Sequence, residues 1–113
     1  DQFIIGISTH CAEQVEQAVI DGADYIGCGP TFPSSTKSFE EFPGTQFLDW
    51  VSKHCTLPAF AIGGVNPDNV QQVANTGFTR VAISGCLHSA DDQGQVIQSL
   101  RDALRGSPAT FSD

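Results

Sequence analysis

The sequence predicts an α/β fold of four strand–helix units with parallel strands, half of the eight units that close a TIM (β/α)8 barrel. Two observations carry this. Four short apolar runs alternate with four amphipathic segments, an order that implies parallel strands joined by right-handed crossovers. Each unit takes about 28 residues, so eight of them would reach barrel size. Half a barrel interior and two strand edges are costly to leave in water. The chain therefore reads as a half-barrel over residues 1–105 that needs a partner half, followed by a polar, flexible tail over 106–113. A small open sheet with helices on both sides is the alternative.

The first unit opens on the apolar run Phe3 to Ser8, which fits a strand buried on both faces. Thr9 or His10 is placed to cap a helix over Cys11 to Asp21. Ala12, Val15, Ala18 and Val19 lie on one side of it, and Gly22 supplies its stop. Asp24 to Cys28 reads as the second strand, and Thr45 as the cap of a helix from Gln46 to His54 with Phe47, Leu48 and Val51 inward. Leu57-Pro58 breaks the chain before a third strand, Ala59 to Ile62, which ends in Gly63-Gly64. Asn66-Pro67 starts a helix, since Asn caps well and proline suits the first helical position. Val70, Val73 and Ala74 face inward there, and Gly77 closes it. Arg80 to Ser84 is the fourth strand. A last helix runs from Ser89 or Ala90 to Arg105, with Val96, Ile97, Leu100 and Leu104 as its buried stripe.

Composition narrows the partners. The chain has 113 residues, 40% hydrophobic and 16% charged, which fits one folded domain with a modest core. Thirteen acidic residues against five basic ones give a net charge of −8, which argues against nucleic acid and anionic membranes. An anionic ligand must then be held by local donors against the overall field. No apolar run approaches the roughly 20 residues of a membrane span, and no leader pattern precedes the first strand. Cys11, Cys28, Cys55 and Cys86 are unevenly spaced, with no C-x-x-C pair or zinc spacing. They read as reduced thiols of a cytoplasmic protein, several of them small core residues.

In parallel α/β folds ligands gather at the carboxyl ends of the strands. The residues there are Ser8-Thr9-His10, the stretch Gly29-Pro30-Thr31-Phe32-Pro33-Ser34-Ser35-Thr36-Lys37, Gly63-Gly64 and Ser84-Gly85. Hydroxyls that can be aimed and one ammonium suit a phosphate or carboxylate, although a solvated Ser/Pro loop has the same composition. Glycines after two successive strands let backbone N–H groups approach an anion closely. His10 fits either a general acid/base or a packing residue at a helix start. Cys28 and Cys86 have no sequence neighbour that marks a nucleophile. Asp91-Asp92 suits the positive end of the last helix.

Taken together, Gly6-Ile7-Ser8-Thr9-His10, Asp21 through Gly27, Gly29-Pro30 through Thr36-Lys37, and Ala61 through Pro67 resemble thiamine phosphate synthase. The resemblance runs from about Phe3 to Leu104 and covers only the C-terminal half of that family's barrel. It implies a transferase of thiamine biosynthesis that joins hydroxymethylpyrimidine diphosphate to a thiazole phosphate, releasing pyrophosphate. It also implies that Ser8 and Lys37 contact the diphosphate, that Ser34, Ser35 and Thr36 line the thiazole side, and that Gly64, Ile83 and Ser84 hold the thiazole phosphate. Ser34 stands where the family often has threonine, which keeps the hydroxyl. Mg²⁺ is the implied cofactor, with its aspartate ligands in the other half of the barrel, so no metal ligand is assigned here. The chain alone is then expected to be inactive, completed by an N-terminal half-barrel or a second copy. Two other readings remain open: a thiazole tautomerase in which His10 shuttles a proton, and a non-catalytic half-barrel that self-associates.

Overall fold

The structure is a computed structural model that describes residues 3–32, 44–83 and 91–105. Its strands are β1 (Gly6–Thr9), β2 (Tyr25–Cys28), β3 (Ala59–Ile62) and β4 (Val81–Ala82). Its helices are α1 (Ala12–Asp21), α2 (Gly44–His54), α3 (Val70–Ala74) and α4 (Gln93–Arg105). The strands form one sheet in the order β1-β2-β3-β4, and each adjacent pair is parallel. Each crossover thus advances one strand in the same direction. That is the winding of a (β/α)8 barrel; a doubly wound open sheet reverses order at a switch point.

Register decides which side chains share a face. Ile7 pairs with Ile26, Thr9 with Cys28, Cys28 with Ala61, and Ala61 with Val81. These strand residues point toward the helices. Ile26, Cys28 and Ala61 are buried in one cluster with Val15, Leu48, Val51, Val70, Val73 and Leu100. The opposite face carries Gly6, Ser8, Tyr25, Gly27, Phe60, Ile62 and Ala82. No described helix covers it: Tyr25 is 37% exposed and Ile62 39%. An apolar groove of about 500 Å³ runs along it, lined by Ile4, Tyr25, Gly27, Phe60, Ile62 and Ala82 among others. The sheet is therefore one-sided, as half of a barrel must be.

This explains the one element read wrongly as fully buried. The first strand is Gly6–Thr9 rather than Phe3 to Ser8, and Phe3, Ile4 and Ile5 are exposed. Burial on both faces needs a cover on the inner side, and the described helices all serve the outer one.

Helix ends follow local chemistry, with four corrections. Gly22, at φ 88°, closes α1 as expected, its N–H bonding Val19 while the Ala23 N–H bonds the Ala18 carbonyl, a Schellman stop. Neither Thr9 nor His10 caps that helix. Cys11 holds the cap position without a side-chain bond, and Thr9 is a fully buried strand residue whose hydroxyl donates to the Gly27 carbonyl at 2.8 Å. Thr45 lies inside α2, which already includes Gly44. The last helix begins at Gln93, not Ser89 or Ala90; Asp92 caps it by accepting from the Gln95 N–H at 3.1 Å. The third helix begins at Val70 with Asn69 in the cap position, rather than at Asn66-Pro67, and ends at Ala74 rather than at Gly77; Asn66 instead caps the turn that leads into it, accepting from the Asp68 and Asn69 N–H groups. Asn69 answers by accepting from the Asn66 N–H at 2.9 Å, a reciprocal capping pair. Phe47, Leu48, Val51, Val70, Val73 and Ala74 are buried as expected, whereas Val19 and Ile97 stay exposed. The tail expected from residue 106 lies outside the described residues.

Candidate functional site

The carboxyl end of the sheet is organised by the exit from β2. Gly29 continues the ladder, its N–H bonding the Thr9 carbonyl at 3.2 Å. The chain then crosses β3: the Thr31 N–H and hydroxyl both donate to the Ile62 carbonyl, at 2.9 and 3.1 Å, and the Phe32 N–H donates to Gly63 at 3.0 Å. On the other flank His10 Nδ1 pairs with the Gly29 carbonyl, and the His10 backbone N–H is held by Gln14 Oε1 at 2.7 Å. The segment Gly29–Phe32 is thus fastened to β1 on one side and to β3 on the other.

This crossing is possible because of glycine. A Cβ on Gly29 would lie 2.1 Å from the Ile62 carbonyl oxygen. Gly63 and Gly64 have φ of 103° and 73°, and a Cβ on either would come within 2.8 Å of the Pro30 or Phe32 backbone. Both lie in the left-handed region that disfavours side chains. Among the described residues nothing accepts a hydrogen bond from the Gly64 N–H, while its carbonyl accepts from Asn69 Nδ2 at 2.9 Å.

Three of the site residues expected from sequence are described, and they share this rim. Ser8 sits near the carboxyl end of β1 on the inner face, paired with Gly27 and exposed. Gly64 follows β3, and Ile83 follows β4, half-buried against the core. Ser34, Ser35, Thr36, Lys37 and Ser84 lie outside the described residues. Sequence reasoning missed the fastening role of Thr31 and Gly29. The signal was there in part, since a Gly-Pro-Thr exit from a strand marks a backbone that must turn tightly.

The remaining chemistry is quiet. Burial pushes the Cys28 thiol up to about 11, only partly offset by its hydrogen bond with Thr9. It stays a protonated core thiol at neutral pH, unsuited to attack. Cys11, Cys28 and Cys55 are all free thiols. Among the described residues no three His, Cys, Asp or Glu side chains converge as metal ligands. No helix among them is long and apolar enough to cross a membrane.

Known proteins share this arrangement. The profile of the family described as thiamine monophosphate synthase matches residues 1–87. The thiamine-phosphate synthase of Rhodopirellula baltica is 49% identical over 110 residues, covering 93% of this chain and 29% of that protein. The thiamine-phosphate synthase of Caldicellulosiruptor saccharolyticus is 42% identical over 106 residues, covering 93% of this chain and 48% of that protein. Among solved structures, thiamine phosphate pyrophosphorylase from Pyrococcus furiosus superposes with a TM-score of 0.81 at 30% identity. That match takes in 95% of this chain and 51% of the archaeal one. The chain thus spans about half or less of the length of these relatives. Its four parallel strand–helix units are part of a TIM barrel, and the chain belongs to the thiamine monophosphate synthase family.

Proposed function

We propose that this chain forms the phosphate-gripping half of a thiamine phosphate synthase, condensing hydroxymethylpyrimidine diphosphate with a thiazole phosphate once a complementary N-terminal half-barrel closes the interior. The observation that supports the reading is that Ser8, Gly64 and Ile83 all lie toward the carboxyl ends of parallel strands of one sheet, where ligands gather in such folds. Ser8 and Lys37 bind the departing diphosphate, Ser34, Ser35 and Thr36 face the thiazole, and Gly64, Ile83 and Ser84 hold its phosphate. The family chemistry lets the diphosphate depart before the thiazole nitrogen attacks. Catalysis then consists of neutralising the leaving group and orienting the nucleophile. No general base is needed, which suits a rim whose histidine is engaged with the Gly29 carbonyl.

The family uses Mg²⁺, which supplies positive charge to the diphosphate. By resemblance its aspartate ligands lie in the complementary half, and no step here runs through the metal. Cytoplasmic biosynthesis fits the free thiols.

The test is reconstitution. Mixed with a complementary N-terminal half and Mg²⁺, the chain releases pyrophosphate only when both substrates are present. Lys37→Ala lowers the rate by about 10²-fold or more, the scale of losing one contact to developing charge. A loss under about twofold would mean the leaving group is bound elsewhere. Turnover of a thiazole tautomer without any diphosphate would replace the synthase reading with an isomerase.

A further inference from the structure

Asn69 holds the cap position of α3, yet its side chain makes no capping bond to that helix. An asparagine there would ordinarily accept from an N–H of the first turn. This side chain turns back toward the exit from β3 instead. Nδ2 donates to the Gly64 carbonyl at 2.9 Å, and Oδ1 accepts from the Asn66 N–H, also at 2.9 Å. The partners fix which way the amide faces, because a carbonyl only accepts and an N–H only donates. A side-chain amide serves both at once. A carboxylate would satisfy the Asn66 N–H, as glutamate does in a capping box, but it would repel the Gly64 carbonyl.

What needs holding is the turn itself. Gly64 has no Cβ to restrict it, and nothing in its own side chain defends its left-handed φ of 73°. The two peptide planes that meet at its Cα are each tied once. Before it, the Gly63 carbonyl accepts from the Phe32 N–H at 3.0 Å. In a trans peptide the N–H points opposite to the carbonyl, so this bond turns the Gly64 N–H away from Phe32. After it, the Gly64 carbonyl is tied by Asn69. Asn69 is itself anchored. Its backbone N–H donates to Asn66 Oδ1 at 3.2 Å, and Val70, which follows it, is buried in the core.

We propose that Asn69 is a positioning residue for the anion site, an inference that rests on the phosphate role proposed above for Gly64. By fixing the peptide after Gly64, it keeps the amide before Gly64 presented to the phosphate of the thiazole substrate. Asn69 touches no reacting atom and acts through Gly64. Without the Nδ2 donor the glycine samples other dihedral angles, and the phosphate must select one of them. That phosphate is remote from the bond that forms, so the loss falls on substrate binding and not on the chemical step.

Asn69→Asp and Asn69→Ala, each assembled with the complementary half, test this. The aspartate keeps the shape and the acceptor for Asn66 but loses the donor; the alanine loses both without adding charge. Both should raise the KM for thiazole phosphate about 10-fold, the scale of one hydrogen bond, and leave kcat within about twofold. In amide NMR the wild-type Gly64 resonance should shift as inorganic phosphate is added, and either variant should need about 10-fold more phosphate for the same shift. A wild-type KM in Asn69→Asp would show that the capping acceptor suffices and would overturn the proposal. So would a wild-type KM in Asn69→Ala, which would reduce the aspartate effect to charge. A fall in kcat and in the urea midpoint with KM unchanged would make Asn69 merely structural. A wild-type Gly64 amide indifferent to phosphate would sink the phosphate role of Gly64, and that of Asn69 with it. Should the assembled wild type release no pyrophosphate, the synthase reading fails while the phosphate titration still decides the role of Asn69.

Discussion

Gly64→Ala, set against Gly22→Ala, isolates what the rim requires of its backbone. Both glycines have left-handed φ, 73° and 88°, so both substitutions incur the same conformational penalty of roughly 1–2 kcal/mol. They differ in surroundings. A Cβ on Gly22 meets nothing within 4 Å, whereas one on Gly64 lies 2.8 Å from the Phe32 carbonyl oxygen and 3.0 Å from the Phe32 Cβ. Phe32 cannot withdraw freely, because its N–H is bonded to Gly63 and its ring packs on the core. Displacing such a neighbour costs about 1–3 kcal/mol. Gly22→Ala should therefore cost about 1–2 kcal/mol and Gly64→Ala about 2–5 kcal/mol. Urea titration at one fixed protein concentration, followed by Trp50 fluorescence and far-ultraviolet dichroism, measures the difference. With a slope of about 1–3 kcal/mol per molar urea, the Gly64 midpoint should fall about 1 M below that of Gly22→Ala. Equal midpoints would show that the crossing segment yields without resistance and that Gly64 is not required for close approach.

Two further perturbations address the core beneath the rim. The folded thiol of Cys28 sits near 11, above its ordinary 9.0, so folding favours the protonated form. Its contribution is complete below about pH 9 and lost as pH rises toward about 11, roughly 3 kcal/mol in all. Cys28→Ala should flatten that alkaline slope, read as the difference between variant and wild-type urea midpoints across the window. An unchanged slope would exclude burial of Cys28 as its source. Thr9→Val keeps the volume but removes the donor to the buried Gly27 carbonyl. It should cost about 1–3 kcal/mol, with Thr9→Ser recovering most of it in the same titration. A neutral Thr9→Val would mean that the hydroxyl bond contributes nothing net.

The strongly punctuated parts of the chain could be read from sequence. Ala59–Ile62 was expected and found to the residue, because Leu57-Pro58 stops the chain before it and Gly63-Gly64 ends it. Asn66 and Gly22 acted as their side chains, or the lack of one, dictate. Thr9 was misread because a threonine before a helix looks like a cap, yet the two-residue period from Ile7 already placed it on the helix-facing side of β1. The exposure of Phe3, Ile4 and Ile5 was illegible for a different reason. Burial of those side chains depends on a surface that the described helices do not supply. At the strand ends the residue types, glycine and hydroxyl, could be read. What they fasten could not be read, since the contact of Gly63 with Pro30 and of Gly29 with Ile62 joins units distant in sequence.

Gly63-Gly64 shows how two demands come to share one motif. The anion reading asks for backbone N–H groups without Cβ shielding; the crossing of Gly29–Phe32 over β3 asks for the same missing Cβ atoms. The demands separate at the amide. Close approach is satisfied whether or not the Gly64 N–H is engaged, yet among the described residues that N–H has no acceptor. Gly64 is exposed, so that N–H is open to solvent without cost. The crossing explains why residue 64 is glycine, and the anion role proposed above would use the amide that the crossing does not occupy.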